Sequence, residues 1–197
     1  MSPAATRFVV SRPEEGRQGQ ALVAAALSLR FEDVRTARVN DPSRHWPGDV
    51  VVFEGDRVVL AAEAKQRSVP PAEVLQFAER CARDGVRRAV VAALAPAQEV
   101  LPLDDLYLEA WRRYGVHLVV FLRVRDLLNE VLMWGTDLLD TALATFPGLM
   151  MERLQQLEAS AEGLAEWAAL FDEPEEPRLS RPHVSRRHRR HAREPLA

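Results

Sequence analysis

Two Val-rich runs, Val50-Val51-Val52-Phe53 and Val58-Val59-Leu60-Ala61-Ala62, flank the polar link Glu54-Gly55-Asp56-Arg57, and this pattern constrains the chain more than any other. Apolar runs joined by a Gly-containing polar link are the sequence signal for antiparallel β-strands. An acid, Asp49, stands at the start after Trp46-Pro47-Gly48, and Glu63-Ala64-Lys65 stands at the finish. Side chains two apart on a strand share a face, so Glu63 and Lys65 point one way and Ala64 the other. A three-residue loop of Gly55, Asp56 and Arg57 pairs Glu54 with Val58, and therefore Asp49 with Glu63. Directly opposed residues hold their Cβ atoms about 5 Å apart. Two carboxylates that close repel unless a proton or a cation lies between them, and oxygen-only ligands favour a hard divalent ion such as Mg²⁺. The hairpin therefore reads as a metal site, held by Asp49 and Glu63, with an ammonium beside it.

That ammonium is singular. Of 26 basic residues, 25 are Arg and Lys65 is the one Lys. A composition that uses Lys almost nowhere places its exception at the end of an acid-x-Lys strand. Arg spreads a permanent charge over a planar fork, whereas Lys is a compact point charge whose pKa moves on burial. A group that must touch a water nucleophile or a phosphoryl oxygen at one spot calls for the second kind.

Pro47, Asp49, Glu63 and Lys65, with the extra Gly48 between proline and aspartate, resemble the PD-(D/E)xK nuclease superfamily. The longer string Asn40-Asp41-Pro42-Ser43-Arg44-His45-Trp46-Pro47-Gly48-Asp49, closing on Glu63-Ala64-Lys65-Gln66, is similar to the catalytic region of SacI-type restriction endonucleases. The resemblance covers roughly residues 15–95. It implies an α/β fold, a restriction-endonuclease-like mixed β-sheet flanked by helices, and Mg²⁺-dependent hydrolysis of double-stranded DNA by a homodimer. It also implies an accessory residue on the helix before the hairpin, for which Glu15 and Gln18 are the candidates. Phosphodiester hydrolysis needs an activated water and charge neutralisation at the phosphate. Asp49, Glu63 and the Ala64 carbonyl are assigned to the metal, and Lys65 to orienting the water and stabilising negative charge. Gln66 is a further accessory candidate, and Arg44 and Arg67 are candidates for backbone phosphates. Helicase-linked members of the superfamily follow the lysine strand with Gln-x-x-x-Tyr; here Gln76 is followed by Arg80, so that subgroup is not carried over.

Charge and composition narrow the class. The net charge of −3 conceals a +6 tail from Arg178 to Ala197 and about −9 over residues 1–177. An acidic body argues against a large non-specific DNA surface. The tail either grips phosphates in a salt-dependent way or only solubilises the chain. Its His residues lack the Cys partners of a zinc site. Cys81 is the sole cysteine, which excludes an internal disulfide and fits a reducing compartment. No apolar run reaches the roughly 20 residues of a membrane span, and no signal-peptide pattern opens the chain, so a cytoplasmic location is expected.

Periodicity predicts a short strand at Phe8-Val9-Val10, a buried helix from Glu14 and a strand over Val34–Val39. Beyond the hairpin it predicts helices over 71–84 and 102–114 that alternate with strands over 86–94 and 116–122, hence parallel crossovers on a mixed sheet. Helices follow over 124–134 and 137–171, with a break at Pro147-Gly148, for packing or dimerisation. The expected organisation is a nuclease core over 1–135, a helical extension over 136–171, and an acidic linker with a disordered basic tail over 172–197. No base-reading element is recognisable. Four readings stay open: a restriction endonuclease with a cognate methyltransferase encoded nearby, a structure-selective or defence-associated nuclease subunit, a non-catalytic nuclease-like assembly module, and an ordinary sheet edge on which Glu63 and Lys65 form a solvated surface pair worth less than about 1 kcal/mol.

Overall fold

The computed structural model describes residues 3–11, 16–37, 46–134 and 139–172. Helices α1 (Pro3–Ser11) and α2 (Arg17–Ser28) precede strands β1 (Val34–Thr36), β2 (Val50–Glu54) and β3 (Arg57–Lys65). Helix α3 (Pro71–Arg83), strand β4 (Arg88–Ala93), helix α4 (Leu103–Glu109) and strand β5 (His117–Phe121) follow, α4 continuing into a π-helical turn over Ala110–Tyr114. Helices α5 (Val124–Met133), α6 (Leu139–Gln156) and α7 (Ala161–Asp172) complete the described chain. The five strands form one sheet in chain order. β1, β2 and β3 run antiparallel, while β3, β4 and β5 run parallel. This is the α/β, restriction-endonuclease-like mixed sheet expected from the sequence.

The pleat of β3 divides the core. Leu60, Ala62 and Ala64 face α2, whose residues Ala21 to Leu27 are all buried. Ala61 faces Val74, Phe77, Ala78 and Cys81 of α3 in the second core cluster. Glu63 and Lys65 follow Ala61 on the α3 side by parity. Phe146, Met150, Leu154 and Trp167 bring α6 and α7 into the α2 cluster. Full burial of such side chains stabilises by about 1.5–3 kcal/mol each, so this layer is part of the main core.

The hairpin reaches the expected register by another route. Its loop is the pair Gly55-Asp56, so Glu54 pairs with Arg57 and Phe53 with Val58, instead of Glu54 with Val58. The register then shifts by one between Val52 and Phe53, and Val52 pairs with Leu60. Val59 is left over as a β-bulge, which restores the alignment that a three-residue loop would have given. Val50 pairs with Ala62 as the last pair of the ladder, and the Asp49 N–H donates to the carbonyl of that same Ala62.

Three other expectations are corrected. Phe8-Val9-Val10 lies in α1, not in a strand, and Phe8 packs 5.2 Å from the Trp167 ring. A one-sided apolar face seated on α7 explains the helix. Helix α2 starts at Arg17 rather than Glu14, after Gly16 in the left-handed region. Pro147 lies inside α6 and does not end it. Phe146 and Met150 anchor the helix on either side, and the Pro147 carbonyl accepts the Trp167 indole N–H at 3.0 Å, so packing offsets the lost backbone bond. β1 is shorter than the run to Val39, and residues 38–45 lie outside the described residues, as does the tail.

Candidate active site

The base of the hairpin is fixed by backbone chemistry. The Asp49 N–H donates to the Ala62 carbonyl at 2.8 Å, and the Ala37 N–H donates to the Asp49 carbonyl at 2.9 Å. The Gln20 amide, buried on α2, donates to both the Ala37 and Asp49 carbonyls at 2.6 and 2.9 Å. Gly48 approaches β3 so closely, with φ of 83°, that a Cβ would lie 2.6 Å from the Ala62 oxygen. The Asp49 carboxylate turns back onto β3, where Oδ2 accepts the Ala64 N–H at 3.1 Å.

Glu63 is only 5% exposed. A carboxylate taken that far out of water costs several kcal/mol unless it is paired, and two cations meet it. Lys65 Nζ lies 2.9 Å from Glu63 Oε1. One nitrogen of Arg80, Nη2, lies 3.1 Å from Oε1 and 3.0 Å from Oε2. Glu63 is therefore no solvated partner in a surface pair. Lys65 also lies 3.6 Å from Glu73 Oε1, and Arg67 grips both Glu73 oxygens at 2.6 and 2.9 Å. The Arg67 bonds, then its charge and that of Lys65, hold the Glu73 carboxyl below its ordinary value of 4.5 against the opposing effect of burial. Glu63, Lys65, Glu73, Gln76 and Arg80 line an open pocket of about 580 Å³ between the end of β3 and α3.

The remaining candidates sit elsewhere. Gln18 is fully buried on α2 with neither amide atom hydrogen-bonded. Gln66 is engaged: its oxygen accepts the Gly19 N–H at 3.1 Å, and its nitrogen donates to the Val9 carbonyl, tying the end of β3 to α1 and α2. A phosphate contact by Gln66 requires release of these bonds. Arg67 is exposed and paired with Glu73. Glu15 and Arg44 lie outside the described residues. Site residues missed by the sequence reading are Glu73, Gln76 and Arg80, which recur at i, i+3 and i+7 along α3. Their signal is a polar stripe beside Val74, Phe77 and Cys81, directly after the acid-x-Lys strand.

Hard-cation chemistry suits the donors present. Among the described residues, no three His, Cys, Asp or Glu side chains group as metal ligands. The available set is two carboxylates and a carbonyl. A carboxylate offers about four lone-pair sites, which lets one carboxylate meet several partners at once. The Ala64 N–H points toward β2, and in a strand the carbonyl of the same residue points to the same side. Ala64 thus presents its oxygen on the Asp49 side of β3.

No family model matches the chain. Over 168 residues it is 34% identical to the type II restriction enzyme SacI of Streptomyces achromogenes, an alignment covering 84% of this chain. The chain is similar to a restriction enzyme over most of its length. It spans about half the length of that relative, 47%.

Proposed function

We propose that the chain is an Mg²⁺-dependent endodeoxyribonuclease of the SacI restriction-endonuclease type. The observation that carries this reading is that Asp49 meets Ala64, and Lys65 meets Glu63, at the same end of β3, in a chain similar to a restriction enzyme. Asp49, Glu63 and the Ala64 carbonyl hold the cation. When bound, a hard divalent cation neutralises charge at the scissile phosphate and acidifies water. Lys65 places its ammonium at the mouth of the pocket, where it orients the attacking water and stabilises charge developing on a phosphoryl oxygen. Gln18, on the helix covering the other face of β3, is the accessory candidate on α2. The substrate is double-stranded DNA, cut on both strands by a homodimer, and a methyltransferase encoded nearby protects the host.

Cleavage of mixed plasmid and phage DNA with Mg²⁺ tests this, beside EDTA, Lys65→Ala and Asp49→Ala. Discrete bands are expected, lost with EDTA and reduced about 10²–10⁴-fold by Lys65→Ala. A smear would favour a structure-selective nuclease. Absence of cleavage, with DNA binding unchanged by Lys65→Ala, would overturn the catalytic reading and leave an assembly module.

A further inference from the structure

Arg80 takes up Glu63 in a particular way. A single nitrogen stands almost equidistant from both carboxylate oxygens, at 3.1 and 3.0 Å. That is where a cation chelated by Glu63 would sit. Lys65 differs: it approaches Oε1 alone, from two residues along the same strand, and has Glu73 as a second partner. Arg80 reaches in from α3, with its side chain 37% exposed and its guanidinium 5.5 Å from the Phe77 ring centre. It can leave Glu63 for the open pocket without burying its charge.

We propose that Arg80 is an internal counter-ion occupying the chelating position on Glu63, and that a divalent cation loads the site by displacing it. The inference rests on the metal-dependent reading above and adds a residue that sets metal affinity. With Arg80 in place, the buried Glu63 charge is compensated before any metal arrives, so the empty site is stable and binds metal weakly. Without Arg80, Glu63 keeps only Lys65, and the same carboxylate attracts a divalent cation more strongly.

Mn²⁺ titration of the full chain, followed by the electron paramagnetic resonance signal of the free ion, tests this. Wild type, Arg80→Ala, Arg80→Gln, Arg80→Lys and Glu63→Gln are compared, with folding of each checked by circular dichroism. Arg80→Ala and Arg80→Gln are expected to bind Mn²⁺ about tenfold more tightly than wild type, equivalent to about 1.4 kcal/mol. Arg80→Lys should restore affinity toward wild type, and Glu63→Gln should abolish binding. Melting temperature gives a second readout, because a ligand bound only by the folded state stabilises according to its affinity. The Mn²⁺-induced rise should be larger in the two neutral variants than in wild type. Equal or weaker Mn²⁺ binding by both neutral variants, with wild type binding normally, overturns the role of Arg80 and leaves the nuclease reading intact. Mn²⁺ binding unaffected by Glu63→Gln also overturns it. Absence of binding in every variant overturns both.

Discussion

At the scale of single residues, one buried amide works against stability. The Gln18 amide is buried without a partner, and an unsatisfied buried polar group costs about 1–3 kcal/mol. Gln18→Met, of similar shape and without polar atoms, is expected to raise stability by that amount in urea denaturation. If Gln18 serves the site, the same variant loses cleavage activity, and a gain in both properties would exclude the accessory role. Glu73 is a milder case. Its carboxyl is held below 4.5 mainly by Arg67, so its contribution is present above the unfolded value and is lost as pH falls through the lower folded one. Arg67 is well exposed, which keeps the contribution below about 1 kcal/mol. Denaturation of wild type and Glu73→Gln should therefore show a small gap at pH 7 that closes as pH drops below 4.5. A gap unchanged at low pH would show that the pair does not set Glu73's ionisation.

At the scale of elements, the hairpin is positioned by its base. Gly48 sits where its backbone passes beneath the Ala62 carbonyl in a left-handed conformation. Gly48→Ala is expected to cost at least about 1–3 kcal/mol from backbone strain, since the clash is with backbone that cannot swing aside. Urea midpoints of the two proteins check this; an unchanged midpoint would mean that β2 and β3 separate at low cost there. The hairpin and the alternation of helices and strands after it are legible because period-two burial and the acid-x-Lys spacing are local in sequence. The role of α3 is not. Sequence offers only the helicase-linked pattern for Gln76 and Arg80, whereas the meeting of Arg80 with Glu63, and the place of Gln76 in the same pocket, depend on how far α3 reaches over β3, which no local pattern encodes. Helix α1 was missed because Phe8, Val9 and Val10 form an apolar run short enough to suit a strand, and the deciding partner, Trp167, lies far along the chain.

At the scale of the molecule, α6 and α7 share the α2 core, so the segment expected as an extension is packed into the body through Phe146, Met150, Leu154 and Trp167. Cys81, in the opposite core layer, reports on the whole. Burial pushes its thiol up to about 12, so at pH 8 it is protonated and shielded. Its reaction with a thiol reagent during urea denaturation should coincide with loss of circular dichroism, as one cooperative transition requires. Thiol exposure preceding that loss would reveal a separately melting α3 layer. The bulge at Val59 acts at this scale too, because it uncouples the tip of the hairpin from its base. The bulge takes up the odd residue that a two-residue turn leaves over, so the pairing at the base does not depend on which turn closes the tip.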